Sequence, residues 1–284
     1  MWEDKYIYII YMSPVEIVVA RYNESLCWLN EYPFNQFEYI VYNKGGNDAF
    51  EKNHVKQIVN LANIGRNDHT YLYHIIKNYE HLADITVFLT GSAGHIPSKK
   101  QKAIQLLNNI IQSNYTNAYF IGTQYNSVKQ HHADFQLDSY SCAYSANFNK
   151  TGRSDLLPCN IRPYYKWYNF FFGNITAHWC TYGGVFSIDK RDIIQHPKNN
   201  YVRIIQPVQT HFNPEAGHYI ERSWGVIFYP LIHTIKIGEF VHTAPKLTQV
   251  TVPKNTSPIR KRPVFKRAYI NRPHRRIHKP RWRY

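Results

Sequence analysis

The sequence predicts an α/β fold, with a mostly parallel sheet flanked by helices, in a single domain over residues 1–253. Three observations predict it. Val15–Arg21 is a continuous β-branched run, which is typical of a parallel strand buried on both faces. Residues 66–111 then alternate between helical and strand patterns, as expected of right-handed crossovers between parallel strands. Finally, 44% of the 284 residues are hydrophobic, which is enough for a large core and excludes wholesale disorder.

The next elements follow in chain order. A stretch around Trp28 fits a short helix, and Phe37–Tyr42 is predicted as a second strand, closed by a turn signal at residues 43–46. Val55–Leu61 fits either a third strand or a short helix. Arg66–Leu82 is the clearest helix, because its apolar residues recur on one face at the helical period.

The second half of the domain begins with a predicted strand, Asp84–Leu89, and Ser98 is predicted to cap the helix that follows it. We assign no element to residues 118–180, where tyrosines and asparagines obscure any period. Thr181–Ile188 is predicted as a further strand. Asn213 is predicted to cap the last helix, since a proline and a glutamate follow it directly.

The net charge of +15 is concentrated in a C-terminal tail. Residues 254–284 contain 12 Lys and Arg and no acid, whereas the first 253 residues carry 22 basic and 19 acidic groups. Four prolines oppose a regular helix in this tail, and its like charges extend it. Aromatic residues between the charges suit single-stranded nucleic acid, and the charge itself suits any polyanion. The alternative is a disordered solubilising tail or a packing arm.

The same sequence indicates a cellular compartment. No apolar run approaches the ~18–20 residues of a membrane span, so no transmembrane segment is predicted. The first residues are acidic, unlike the basic start of a secretory signal. The four cysteines lie far apart and form no CxxC pair, which favours reduced thiols. We therefore expect a cytoplasmic protein.

Candidate ligand-binding residues lie where the predicted strands end, because open α/β sheets bind ligands at their carboxyl edge. The loop Asn63-Ile64-Gly65-Arg66 leads into a helix N-terminus, which favours a phosphate, and Arg66 adds a charged donor. The residues that follow the strands are Arg21, Tyr22, Asn23 and Glu24, then Asn43 and Lys44, and then Gly91 to His95.

Several sequence blocks lie in order along the domain. The blocks are Val18-Val19-Ala20-Arg21-Tyr22-Asn23-Glu24 with Trp28-Leu29, Tyr42-Asn43-Lys44-Gly45, Asn63-Ile64-Gly65-Arg66 with Thr70-Tyr71-Leu72, Thr86-Val87-Phe88-Leu89 followed by His95, Gly183-Gly184-Val185-Phe186-Ser187, and Glu221-Arg222-Ser223-Trp224 with Phe228. With them the chain resembles, over roughly residues 15–230, an uncharacterised domain family known from fungi, bacteria and large DNA viruses.

That family is similar to glycosyltransferases of the GT-A type, which have a Rossmann-like sheet and bind a nucleotide-sugar and usually a divalent metal. The resemblance implies that residues 21–24 contact the base and ribose, and that residues 63–66 precede the helix nearest the phosphates. It also implies that Gly183 and Gly184 belong to the substrate site, and that Glu221 supplies the base on the acceptor side.

The segment after the fourth predicted strand departs from the transferase pattern. Mn²⁺ or Mg²⁺ held against a diphosphate prefers oxygen ligands, and such enzymes usually place two carboxylates there. Residues 90–95 contain no acid. Three interpretations stay open: the metal is held otherwise, for instance by His95, or the reaction needs no metal, or the site is not catalytic.

Two residues are candidates for the chemistry itself. Glu221 would take the proton of the acceptor hydroxyl as general base, and the alternative is an ion pair with Arg222. Arg66 would neutralise the departing diphosphate, and the alternative is a salt bridge with Asp68 or Glu24.

Two functions therefore follow from the sequence. The first is a glycosyltransferase that moves a sugar from a nucleotide-sugar donor to a hydroxyl acceptor. The alternative is a non-catalytic binding or virion-associated protein, with a degenerate GT-A-like fold and a tail that binds nucleic acid or another polyanion. If the protein is viral, we expect it in the host cytoplasm or in the virion.

Overall fold

The computed structural model describes residues 14–137 and 156–239, and the predicted tail at residues 254–284 lies outside them. The strands in this part of the chain are β1 (Val15–Arg21), β2 (Tyr39–Asn43), β3 (Val55–Asn60), β4 (Ile85–Thr90), β5 (Tyr119–Gln124), β6 (Trp179–Cys180), β7 (Phe186–Asp189) and β8 (Ile235–Gly238). The α-helices are α1 (Arg66–Lys77), α2 (Pro97–Gln112), α3 (Val128–His131), α4 (Tyr164–Phe172), α5 (Lys190–Ile194), α6 (Lys198–Ile205) and α7 (Glu215–Ile227). None of these described helices is both long enough and apolar enough to cross a membrane.

Five strands form the central sheet, in the order β3-β2-β1-β4-β7. The first four run parallel, and β7 joins the edge of β4 in the antiparallel direction. A smaller sheet has the order β6-β5-β8, with β5 parallel to β8 and antiparallel to β6. The main sheet is therefore a Rossmann-like arrangement, and the predicted mostly parallel α/β fold is confirmed at this level.

The core occupies both faces of the central sheet. Val18 of β1 packs in a cluster with Trp224 of α7, whereas its neighbours Ile17 and Val19 pack in a second cluster with Leu106 of α2. Successive side chains of a strand point to opposite faces, so both faces of β1 are covered. This explains why β1 is a continuous apolar run rather than an alternating one.

Two helix boundaries differ from the prediction. Helix α1 ends at Lys77, short of Leu82, because the backbone of Asn78 leaves the helical region (φ −106°, ψ 15°) and its side-chain amide donates to the carbonyl of His74 at 3.0 Å. Helix α2 has no side-chain cap from Ser98. It begins at Pro97, the residue before Ser98, because the fixed φ of proline suits the first turn of a helix.

Further differences lie in the second half of the chain. Only the end of the predicted strand Thr181–Ile188 is a strand, β7, because Gly183 and Gly184 have φ angles of 78° and 65° that break the extended backbone. Asn213 does not cap α7, which follows Pro214 and has no side-chain capping bond. Residues 118–180, left unassigned from sequence, contain β5, α3, α4 and β6.

Candidate functional site

A cleft of about 410 Å³ opens at the carboxyl edge of the central sheet. Strands β2 and β4 flank β1 on opposite sides, so the strand order reverses here, and α/β sheets leave room for ligands at such a point. Arg21 and Thr90, the last residues of β1 and β4, line the cleft. The described residues that line it are Ala20, Arg21, Tyr22, Glu24, Lys44, Asn63, Arg66, Asn67, Thr90, Ser92, Lys99 and Phe212.

Arg21 is only 1% exposed, and its guanidinium holds the loops that follow β1 and β2. Its Nε donates to the carbonyl of Glu24 (2.8 Å), and its Nη1 donates to Asn43 Oδ1 (2.6 Å) and the carbonyl of Asn47 (2.7 Å). The ring of Phe50 has its centroid 4.0 Å from the guanidinium carbon. Arg21 is therefore a buried cation whose hydrogen bonds go to neutral groups.

Lys44 connects the end of β2 to the loop before α1. Its Nζ donates to the carbonyl oxygens of Ile64, at 2.7 Å, and of Arg66. Burial lowers the pKa of Lys44 to about 7, although the nearby charge of Asp68 acts in the opposite direction. The amine can therefore gain or lose its proton near neutral pH.

The loop before α1 has a constrained backbone. Gly65 has a φ of 57°, and a Cβ there would lie 2.3 Å from the carbonyl oxygen of Val208, so the position requires glycine. Arg66 also has a positive φ, 55°, and its Nη1 lies 2.7 Å from His218 Nε2. Burial and the charges of Arg66 and Arg222 lower the pKa of His218 to about 2, so a neutral ring accepts this hydrogen bond.

Two carboxylates lie behind the cleft, between α1 and α7. Asp68 is buried and accepts a hydrogen bond from Trp224 Nε1 (3.1 Å). Burial raises the pKa of Asp68 to about 7, and the charge of Glu221 adds to the rise. Glu221 Oε1 accepts the backbone N–H of Gly183 (3.0 Å), and the other Glu221 oxygen lies 3.9 Å from Arg222 Nη1. Glu221 is thus held mainly by a backbone amide.

Lys99 reaches the cleft from the first turn of α2. Its Nζ donates to Thr90 Oγ1 (3.3 Å) and Ser92 Oγ (3.2 Å), at the end of β4 and in the loop after it. Burial lowers the pKa of Lys99. A Cβ on Gly183 would lie 3.4 Å from Lys99 Cε, so the lysine passes close to the loop that binds Glu221.

The sequence profile of a family described as "Protein of unknown function (DUF3431)" matches residues 17–235. The chain belongs to the DUF3431 family. No curated protein and no solved structure matches it. The matched range of the DUF3431 domain includes Glu221 and every residue that lines the cleft, so the site is a feature of this domain.

The DUF3431 domain brings many of the predicted site residues together. Those that line the cleft are Arg21, Tyr22, Glu24, Lys44, Asn63 and Arg66. The others border it: Asn23, Asn43, Gly65, Gly183, Gly184 and Glu221. Asn43 and Gly65 act on the site through their neighbours. Asn43 accepts a hydrogen bond from Arg21, and Gly65 shapes the backbone that leads to Arg66.

His95 lies away from the cleft lining. Its side chain is exposed, and its Nε2 lies 2.7 Å from the carbonyl oxygen of Ser25. Within residues 14–137 and 156–239, no group of three or more His, Cys, Asp or Glu side chains is placed to hold a metal ion. Among the described residues that line the cleft, one is a carboxylate, Glu24, and four are cationic. Four positive charges around a single carboxylate do not fit Mn²⁺ or Mg²⁺, because they repel a divalent cation.

Sequence reasoning selected Ser92 within residues 91–95 but missed several other lining residues: Asn67, Thr90, Lys99 and Phe212. A signal for Lys99 was present in the periodicity of α2. Lys99 is spaced at i, i+4, i+7 and i+11 with Ala103, Leu106 and Ile110, which are buried. A lysine on the inner face of an amphipathic helix indicates a charge directed toward the interior, as Asp68 does on the inner face of α1.

Proposed function

We propose that this DUF3431 domain is a glycosyltransferase of the GT-A kind, which moves a sugar from a nucleotide-sugar donor to a hydroxyl acceptor. The observation that carries the proposal is the convergence of four cationic side chains on one cleft. They are Arg21 at the end of β1, Lys44 directly after β2, and Arg66 and Lys99 in the first turns of α1 and α2. With Glu24 as the single carboxylate among the lining residues that the structure describes, the cleft favours an anion.

The charge and the size of the cleft suit a nucleoside diphosphate. The cleft has a volume of about 410 Å³, which falls within the roughly 300–1,000 Å³ typical of small-molecule sites. Tyr22 and Phe212, which are 50% and 38% exposed, offer ring faces on which a base can stack. The N-terminus of α1 also favours a phosphate, because its first backbone N–H groups carry partial positive charge.

In the proposed reaction, the acceptor hydroxyl oxygen attacks the anomeric carbon of the donor sugar. The bond from that carbon to the β-phosphate oxygen breaks, and its electron pair stays on the oxygen of the departing nucleoside diphosphate. Glu221 takes the hydroxyl proton, and its side chain is 23% exposed and therefore within reach of an acceptor. Arg66 neutralises charge that develops on the diphosphate.

The test combines binding with turnover. Isothermal titration against UDP, GDP and their sugars, with and without Mn²⁺, should find a ligand that binds the full-length protein. Release of the nucleoside diphosphate should then fall about 100-fold or more in Glu221→Gln, the usual size of a lost general base. Glu31→Gln is the matched control, because Glu31 pairs with Lys100 at the surface.

Two results would contradict the proposal. One is that none of the nucleotides or nucleotide-sugars binds. The other is that Glu221→Gln turns over at the wild-type rate, which would leave a binding function only.

A non-catalytic role is the second candidate, and the composition of residues 254–284 favours it. Twelve Lys and Arg without any acid suit nucleic acid or another polyanion, whether in a host cytoplasm or in a virion. Binding to single-stranded DNA should then weaken steeply with salt and disappear when residues 254–284 are deleted. Salt-insensitive binding, or full binding by the truncated chain, would count against this role.

A further inference from the structure

Two lysines of α2 lie three residues apart and have different partners. Lys102 donates to Thr181 Oγ1 (2.8 Å) and pairs with the carboxylate of Glu239. Lys99 donates only to the hydroxyls of Thr90 and Ser92, and within the described residues no carboxylate lies within 4 Å of its Nζ. Both lysines are half-buried and burial lowers the pKa of each, so Lys99 is a partly desolvated cation without a counter-charge in direct contact.

The ammonium of Lys99 lies at the end of β4. Thr90 ends β4, and Ser92 follows it in a loop that, under the proposed function, corresponds to the place where metal-dependent transferases usually carry two carboxylates. Here neutral hydroxyls occupy the loop and an ammonium lies beside them, 3.2 and 3.3 Å away. A cation of the protein therefore stands at the place where a bound divalent cation would otherwise be expected.

The surroundings favour an anionic ligand at this ammonium. Lys99 lines the same cleft as Arg66, and the two like charges repel until an anion separates them. In a site with little water, a fixed positive charge next to a phosphate stabilises it far more than in bulk solvent. Glu221 lies on the other side of the 183–184 loop, bonded to Gly183, so its carboxylate supports the charged form of Lys99 from behind.

We propose that Lys99 performs for a bound diphosphate the role that a divalent cation performs in metal-dependent transferases. The inference rests on the proposed function and extends it to the chemistry of the leaving group. When the bond between the anomeric carbon and the β-phosphate oxygen breaks, the electron pair remains on that oxygen. The ammonium of Lys99 keeps its proton and donates a hydrogen bond to the diphosphate, which stabilises the added negative charge.

The experiment measures binding of three probes by isothermal titration: inorganic pyrophosphate, UDP and GDP. Each is titrated into the full-length protein once with EDTA and once with Mn²⁺. The variants are Lys99→Met, Lys99→Arg and the control Lys100→Met, which removes the same charge from the next residue, whose partner is Glu31. A thermal melt of each variant establishes that it is folded.

We expect the wild type to bind at least one probe equally well with EDTA and with Mn²⁺. Lys99→Met should bind that probe at least tenfold more weakly, Lys99→Arg should recover part of the loss, and Lys100→Met should resemble the wild type. A wild type that binds only with Mn²⁺ would overturn the inference, as would wild-type affinity in Lys99→Met. If Lys99→Met does not fold, the EDTA comparison and Lys99→Arg still decide, because the inference requires metal-free binding by the wild type and weaker but measurable binding by the arginine variant, which keeps the charge.

The outcome also separates this inference from the proposed function. If the wild type binds none of the three probes under either condition, the proposed function fails and the inference fails with it. If it binds a probe only with Mn²⁺, or binds independently of Lys99, the transferase proposal stands and only the role of Lys99 is lost.

Discussion

Two groups of buried charges in this molecule are neutralised in different ways. At the start of α7, Glu215 is fully buried and accepts hydrogen bonds from the backbone N–H groups of Leu137 (2.8 Å) and Cys159 (2.7 Å), from Arg162 and from the hydroxyl of Tyr219 (2.7 Å). At the carboxyl edge of the sheet, by contrast, three cations of the cleft, Arg21, Lys44 and Lys99, donate to carbonyl, amide and hydroxyl oxygens.

The difference separates structural charge from functional charge. A buried carboxylate with a guanidinium and several N–H donors is satisfied within the protein, and it holds the elements around it in place. A group of cations with neutral partners is only partly satisfied, and an anion from outside completes it. Four experiments test this contrast, in order of decreasing expected effect.

The largest effect is expected for Glu215→Ala. Removing the carboxylate leaves the charge of Arg162 and two backbone N–H groups without their acceptor, which typically costs about 3–5 kcal/mol of unfolding free energy. Urea denaturation followed by circular dichroism measures it. A loss below about 1 kcal/mol would show that water replaces the carboxylate, and Glu215 would not then be a structural charge.

Asp68→Asn should flatten the pH dependence of stability. The folded pKa of Asp68 is raised to about 7 from its ordinary value of 3.8, so the folded state binds more protons than the unfolded state between these values. Stability therefore falls as pH rises through this window, by at most about 1.4 kcal/mol per pH unit. Asparagine keeps an acceptor for Trp224 and does not titrate. Urea denaturation at several pH values compares the two proteins, and parallel profiles would contradict the prediction.

Lys44→Met should change how anion binding depends on pH. The pKa of Lys44 is lowered to about 7, so above that pH the free protein must take up a proton before this amine can attract an anion. The ratio of wild-type to variant association constants for pyrophosphate should be largest below pH 7. Above it, the ratio should decrease by up to about tenfold per pH unit. The protonation of pyrophosphate itself affects both proteins equally and therefore cancels in the ratio. A ratio that does not change with pH would show that Lys44 does not attract the anion through a titrating amine.

The smallest effect is expected for Lys100→Met, on the same helix as Lys99 but outside the cleft. Its ion pair with Glu31 is partly exposed on both sides, and such pairs contribute about 0–1 kcal/mol. Thermal melts should therefore nearly superimpose on those of the wild type. A large loss of stability or of pyrophosphate affinity would show that charge anywhere on α2 matters, and the contrast between the two regions would weaken.

Much of the fold was predictable because the pattern of apolar residues along a segment indicates which of its side chains are buried. The strand Val15–Arg21 has the predicted bounds, and β4 and the start of α1 agree within one residue. The break within Thr181–Ile188 was not predictable from apolar pattern alone. Two glycines turn the chain there so that their loop can pack against Lys99 and Asn67, which lie about 80 to 120 residues away in the sequence.

The candidate site was predictable where it follows strand ends, and less so where it depends on helices. Arg21 and Lys44 were selected because parallel strands share one carboxyl edge, and Arg66 because its loop leads into a helix N-terminus. Lys99 was missed, since it belongs to a helix whose side chains reach the edge only after α2 packs on the sheet. His95 was selected as a metal ligand from its position in the chain, but its ring bonds to the loop at Ser25 instead.

The sequence by itself determined the mostly parallel α/β body, the places of β1, β2 and β4 along the chain, and the separation of a basic tail from a nearly neutral domain. These are properties of neighbouring residues, because periodicity, β-branching and charge are read along the chain. Only the tertiary structure decided which charges meet. Lys99, Gly183 and Glu221 are distant in sequence, and they come together because β7 adds to the sheet beside β4 and α7 packs across its face. Long-range pairing of this kind is chosen by the packing of the whole core, which no local pattern specifies.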